Sequence, residues 1–153
     1  MLIGERDRAA IRKLFEDLAS PVRLVVFSEG SVKLPGRQQC MYCEQTVALA
    51  RELAALSEKL SVEVVNFYVD KAKVEEYSIA RIPAMAIVGA KDYGVRYYGI
   101  PAGHEFRALL EDIVDVSRGT TDLSPETVEK LARVDTPVHI QVFVTPTCPY
   151  CPP

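Results

Sequence analysis

The residues of this chain whose type and spacing could do chemistry are its four cysteines. They form two C-x-x-C pairs, Cys40 with Cys43 and Cys148 with Cys151, and no cysteine is left over. In a cytoplasmic chain such pairs are more often catalytic or metal-binding than structural. The first pair therefore predicts thiol–disulfide exchange, in which one cysteine attacks a disulfide as a thiolate and the other resolves the mixed disulfide.

The attacking cysteine needs help, because a free thiol with a pKa near 8.5 is only about 3% ionised at neutral pH. A helix N-terminus supplies that help through its unpaired N–H groups and the positive end of its dipole. Val47, Ala50 and Leu53 follow the first pair at helical spacing and predict a long helix that continues to residue 60. We therefore predict Cys40 as the nucleophile and Cys43 as the more buried, resolving thiol.

The elements that must position this pair are predicted from the apolar pattern. The predicted helices cover residues 5–18, 71–77 and 106–114 besides the one after the first pair, and the predicted strands cover 22–28, 62–69, 84–89 and 95–99. The first two strands and the helix between them form a βαβ unit, so these strands are expected to be parallel in one sheet. Residues 1–118 are thus predicted to form an α/β domain with a four-stranded mixed sheet, flanked by helices and preceded by an extra N-terminal helix.

Beyond residue 118 the same order of elements begins again. Ser124 and Pro125 open a predicted helix as a cap and a first-position proline. The segment 137–143 (PVHIQVF) then matches 21–27 (PVRLVVF) at a separation of 116 positions, from residue 21 to residue 137. An internal repeat explains this match, and residues 119–153 are predicted to hold the first helix and strand of a second, incomplete domain that stops after its cysteine pair.

Composition narrows the classes of function. A net charge of −3 leaves no basic footprint for nucleic acid. No apolar run approaches the roughly 18 residues of a membrane span, and the charged start of the chain has no apolar core of signal-peptide length. A cytoplasmic protein with neither a nucleic-acid nor a membrane partner is expected.

A zinc site is the alternative use of two C-x-x-C pairs. Zinc ribbons usually separate their pairs by roughly 15–20 residues. Here 104 residues, 44–147, lie between the pairs. The spacing favours redox chemistry without a bound metal, and a zinc-binding protein stays open as an alternative.

At the level of motifs the chain resembles thioredoxin and glutaredoxin proteins, because strand, C-x-x-C and helix follow in that order and an Ile82-Pro83 step comes later. It is more similar to the tandem, glutaredoxin-like protein disulfide oxidoreductases of archaea and thermophilic bacteria. The segments that carry this second resemblance are 67–70 (FYVD), 92–99 (DYGVRYYG), 101–106 (PAGHEF), 110–118 (LEDIVDVSR) and 143–152 (FVTPTCPYCP).

The resemblance implies two thioredoxin-like folds, the second of them truncated here about a third of the way through. It implies protein disulfides as substrates, a thioredoxin-reductase-like electron donor and no cofactor other than the redox-active disulfides. The second pair, Cys148 and Cys151, would then be catalytic as well as the first. A non-catalytic adaptor that binds partners through the same fold stays open as a second class of function.

The resemblance also assigns residues around the first pair. It implies that Pro83 is cis and faces Cys40, and that Tyr42, Ile82 and Pro83 contact the substrate chain. The buried acid that thioredoxins carry ahead of their motif corresponds to Val26 here, so glutaredoxin-like chemistry without that acid is expected. The loop 29–39 is longer than in the family.

The two pairs are predicted to be unequal. Only five residues follow Cys148 in this sequence, whereas Cys40 precedes a long predicted helix. So short a stretch cannot nucleate a helix unaided, and Cys148 is expected to behave more like a free thiol. The segment 138–144 is expected to form a strand at an edge of the first sheet, because an unpaired apolar strand is costly in water.

Overall fold

The computed structural model describes residues 2–30 and 39–145 of the chain. Its helices are Glu5–Phe15 (α1), Cys43–Ala54 (α2), Lys71–Glu76 (α3), Glu105–Arg118 (α4) and Pro125–Leu131 (α5), and its strands are Val22–Ser28 (β1), Leu60–Asn66 (β2), Ala84–Val88 (β3) and Asp92–Tyr98 (β4). The four strands form one sheet in the order β2-β1-β3-β4. β1 and β2 are parallel, and β3 is antiparallel to both β1 and β4. The predicted four-stranded mixed sheet with flanking helices is therefore confirmed.

The central strand β1 is covered on both faces. Leu24 and Val26 belong to the larger apolar cluster, which contains residues of α1, α2 and α4, whereas Val25 and Phe27 belong to the smaller one beside α3. All four side chains are fully buried. Successive side chains of a strand point to opposite faces. The uninterrupted apolar run of this strand is thus explained by two cores, one on each side of the sheet.

Several predicted boundaries are wrong by three residues or more: α1 ends at Phe15, β4 begins at Asp92 and α4 ends at Arg118. Two further ones, the end of α2 and the end of β2, have a clear structural reason. The helix after the first cysteine pair ends at Ala54 instead of residue 60, and Leu60 begins β2, where it is paired with Val22. The N–H of Val22 donates to the carbonyl of Lys59 over 2.8 Å, so the chain must leave the helix early to enter the sheet. β2 ends at Asn66 instead of residue 69, because the Asn66 side chain accepts the N–H groups of the next turn.

The region 119–145 departs from the expectation for a second domain. The predicted helix is present as α5, and the Ser124 hydroxyl accepts the Thr127 N–H over 3.2 Å as its cap. The strand expected at 138–144 is absent, and Phe143 is 90% exposed there. A strand needs a hydrogen-bonded neighbour, and in the described part of the chain the sheet contains β1 to β4 alone. No helix in this part is both long and apolar enough to cross a membrane.

Candidate functional site

Cys40 and Cys43 form a disulfide at the start of α2. Their Cα atoms are 5.5 Å apart, and Cys43 is the first residue of the helix. Cys43 is 1% exposed, whereas Cys40 is only half-buried. The prediction that Cys43 is the more buried thiol is confirmed.

The first turn of α2 presents backbone N–H groups that can donate hydrogen bonds to an anion. Tyr42 stands at the N-cap with no side-chain cap, and its carbonyl accepts both the N–H and the hydroxyl of Thr46, over 2.9 and 2.8 Å. The first N–H groups of an α-helix generally lack an acceptor within the helix itself. Such groups and the helix dipole favour negative charge at this end. Cys40 lies two residues before the cap, so a thiolate on it would be at the positive end of the helix.

The sheet brings three further segments to the same end. β1 runs towards the disulfide, and its last residue, Ser28, is paired with Asn66 at the end of the parallel strand β2. β3 is antiparallel, so its beginning meets this end, and Phe27 is paired with Ala84. The Ile82-Pro83 bond that precedes Ala84 is cis, as predicted. Its position follows from the pairing of β3 with β1.

Cation–aromatic contacts line this end of the sheet. The Arg81 guanidinium lies 4.8 Å from the ring centre of Tyr98, and the Lys71 ammonium lies 5.0 Å from that of Phe67. The N–H of Gly99 donates to the Pro83 carbonyl over 2.9 Å, which fixes the cis-proline loop against the end of β4.

Two large exposed side chains, Met41 and Tyr42, lie between the two cysteines in the sequence. Met41 is 74% exposed and Tyr42 is 48% exposed. Beside them an open depression is lined by Gln39, Cys40, Met41, Glu44 and Gln45. Exposed apolar side chains next to a half-buried sulfur are what a protein substrate would contact.

One residue of the site was missed by sequence reasoning. The Glu29 carboxylate accepts a hydrogen bond of 3.2 Å from the backbone N–H of Cys40. The backbone carbonyl of Glu29 accepts one of 3.1 Å from the side-chain amide of Asn66. The signal in the sequence is weak but present, because Glu29 is the only acidic residue between the first strand and Cys40. Val26, at the position of the family's acid, is fully buried in β1.

The second pair lies outside the described residues, so the predictions for Cys148 and Cys151 stay predictions. Within 2–30 and 39–145, no group of three or more His, Cys, Asp or Glu side chains could hold a metal ion. The zinc alternative would therefore have to use the second pair.

Comparison with known proteins finds similarity to thioredoxin-domain proteins in both sequence and structure. A family model described as "Thioredoxin domain" matches residues 31–111. A protein disulfide oxidoreductase from Aeropyrum pernix k1 has a similar structure, with a TM-score of 0.80, 33% identity and coverage of 97% of this chain and 62% of that chain. An alkylhydroperoxide reductase of Enterococcus faecalis (V583) shares the fold, with a TM-score of 0.79, 23% identity and coverage of 99% and 70%.

A curated relative, the NADH dehydrogenase of Bacillus subtilis (strain 168), is 28% identical over 106 residues, which are 69% of this chain and 19% of the relative. The chain thus spans about a fifth of the length of the curated relatives that it matches. The family model covers more than half of the chain and includes the disulfide and the cis-proline step. The chain belongs to the thioredoxin-domain family, and it carries a C-x-x-C disulfide at the start of the helix that follows its central strand.

Proposed function

We propose that this protein is a protein disulfide oxidoreductase that works by thiol–disulfide exchange at Cys40 and Cys43. The observation that carries the proposal is that the two disulfide-bonded cysteines at the N-terminus of α2 differ in their exposure to solvent. Attack requires an accessible thiolate, and resolution requires a second thiol within reach. The half-buried Cys40 suits the first role and the buried Cys43 suits the second.

In the reducing direction the reaction starts from the dithiol. The Cys40 thiolate attacks one sulfur of a client disulfide, and the other client sulfur leaves as a thiolate that takes a proton from water. Cys43 then loses its proton and attacks the Cys40 sulfur, which releases the second client thiolate. Two electrons have passed to the client, and the Cys40–Cys43 disulfide has formed.

The substrate chain is proposed to lie across the end of the sheet that carries the disulfide. Tyr42, Ile82 and Pro83 are its proposed contacts. Support comes from the exposure of Tyr42 and from the pairing that brings the cis-proline step to this end. The backbone of Ile82, just outside β3, would then pair with an extended client segment.

A dithiol electron donor must regenerate the reduced pair, and we propose a thioredoxin-reductase-like protein for this role. Residues 119–153 are proposed to begin a second thioredoxin-like unit of the tandem, glutaredoxin-like type, with Cys148 and Cys151 as its redox pair. The 116-position repeat and the similarity to the Aeropyrum pernix protein disulfide oxidoreductase support this proposal.

The decisive experiment is insulin reduction with dithiothreitol as the electron source. The wild-type chain should accelerate insulin precipitation, and Cys40→Ser should lose nearly all of that activity. A non-catalytic adaptor would show no acceleration in either protein. A zinc-binding protein would instead co-purify with close to one zinc ion per chain, which metal analysis of the same preparation would reveal.

A further inference from the structure

A carboxylate lies against the backbone of the cysteine that we assign as the nucleophile. The Cys40 N–H donates to Glu29 Oε2 over 3.2 Å, and Glu29 is half-buried. Its backbone is fixed from the next strand, because the Asn66 amide donates to the Glu29 carbonyl over 3.1 Å. Asn66 is itself held by the N–H of Tyr68, which donates to its Oδ1 over 2.9 Å. The backbone of Glu29 is therefore held at the ends of β1 and β2, and its carboxylate reaches the Cys40 N–H from there.

This contact places a negative charge near the Cys40 sulfur. The nitrogen and the sulfur of one cysteine are separated by three bonds, roughly 3 to 4 Å, so the carboxylate lies within about 7 Å of the sulfur. A like charge at such a distance disfavours the thiolate. Glu29 thus destabilises the Cys40 thiolate, whereas the N-terminus of α2 stabilises it.

Other charged groups at this end differ from Glu29 in their placement. Glu44, on the first turn of α2, lines the same depression as Cys40, but its side chain is exposed. Lys71 and Arg81 lie over aromatic rings. Lys33 and Arg37 lie outside the described residues. Among the described charges, Glu29 is the one hydrogen-bonded to the backbone of the disulfide.

We propose that Glu29 is a positioning residue that biases the Cys40–Cys43 pair towards giving up electrons. Its carboxylate fixes the Cys40 backbone and raises the free energy of the Cys40 thiolate. The equilibrium between disulfide and dithiol therefore shifts towards the disulfide. A pair that prefers its disulfide form reduces clients more readily than it oxidises them. The inference rests on the proposed function and gives it a direction, towards a reductase.

The test compares two carboxylate-to-amide variants of the full chain, both made with Cys148→Ser and Cys151→Ser. Glu29→Gln keeps an oxygen that can accept the Cys40 N–H and removes the charge. Glu44→Gln removes an equal charge from an exposed side chain near the same sulfur. Two quantities are measured: the pH midpoint of thiolate ultraviolet absorbance in the reduced protein, and the equilibrium constant of the pair with glutathione.

For Glu29→Gln the thiolate midpoint should fall by about half to one pH unit. The glutathione equilibrium should move towards the dithiol by threefold or more, which is about 14 mV for a two-electron couple. Glu44→Gln should give less than half of either shift. Glu29→Asp, which keeps the charge, should stay closer to the wild type than Glu29→Gln does.

Unchanged values in Glu29→Gln, or equal shifts in Glu29→Gln and Glu44→Gln, would overturn the proposal. If Glu29→Gln fails to fold, Glu29→Asp still tests the proposal. This variant keeps the charge, so a shift of its glutathione equilibrium towards the dithiol would contradict the proposal. Neither measurement needs a client protein. A wild-type chain that is inactive on insulin would therefore count against the proposed function alone.

Discussion

The side-chain amide of Asn66 donates a hydrogen bond of 3.1 Å to the backbone carbonyl of Glu29. This bond joins the ends of the two parallel strands at the point where the chain leaves for the cysteine pair. Gly30 follows with a φ of +74°, and a Cβ placed there would come within 2.5 Å of the Asn66 amide nitrogen. A side chain at this position would therefore push Asn66 away from Glu29.

Gly30→Ala is expected to lower the free energy of unfolding by about 2 to 3 kcal/mol. Left-handed backbone at a non-glycine residue costs about 1 to 2 kcal/mol, and the displaced hydrogen bond adds about 1 kcal/mol. Gly94→Ala is the matched control, because Gly94 has a φ of +85° and open space around its Cβ position. It should lose only the backbone contribution. Urea unfolding of both variants measures the difference, and equal losses would show that the Asn66 contact contributes nothing.

Cys43→Ser is expected to trap a mixed disulfide between Cys40 and a client protein. The variant can still attack, but the buried group that would resolve the intermediate is now a hydroxyl, which is not a nucleophile for disulfides at neutral pH. Mass spectrometry after incubation of the reduced variant with oxidised insulin should find the adduct on Cys40. Cys40→Ser, treated in the same way, should form little or no adduct on Cys43, since Cys43 is 1% exposed. More adduct with Cys40→Ser would reverse the assignment of the two roles.

Cys148→Ser is expected to change insulin reduction little, whereas Cys40→Ser abolishes it. The first pair lies at a helix N-terminus, at the end of the sheet where β3 begins just after the cis-proline step. The described residues before the second pair, 138–145, are exposed and form neither a helix nor a strand. Initial rates of dithiothreitol-driven reduction compare the two variants. A larger loss in Cys148→Ser would mean that the second pair is the working one, completed by another chain.

Asp92→Asn is expected to cost stability at neutral pH and to cost little in acid. Hydrogen bonds from the Arg96 guanidinium hold the pKa of the Asp92 carboxyl below its ordinary value. A depressed carboxyl pKa stabilises the fold above the unfolded value near 3.9, and this contribution is lost as the pH falls through the folded value. Because the pair is partly exposed, the cost at pH 7 should be about 0.5 to 1 kcal/mol. Urea unfolding at neutral and acidic pH should show the gap closing, and a constant gap would contradict the assignment.

Much of this fold could be predicted because its signals are local. The apolar run of β1, the cysteine spacing and the apolar residues after it each identify an element without reference to distant residues. Leu60 could not be assigned in this way. It lies seven positions after Leu53 and continues the helical spacing, but its pairing with Val22, far away in the sequence, makes it the start of a strand.

Glu29 shows the same limit within the site. In the sequence it is an acidic residue at the start of a loop, where acidic residues are common. Its role is visible only when Asn66, 37 positions later, meets its carbonyl and its carboxylate meets the Cys40 N–H. The strand expected at 138–144 failed for the converse reason: its local pattern suits a strand, but no neighbour is present to pair with it in the described residues.

The exposed segment 138–144 has a consequence for handling the protein in solution. Five of its side chains are large and apolar, and each is between 49% and 90% exposed: Val138, Ile140, Val142, Phe143 and Val144. Its backbone groups are not part of the sheet, so it can template pairing with an identical segment. Intermolecular β-structure and loss of colloidal stability should therefore increase with protein concentration, and a lysine in place of Val142 should oppose both.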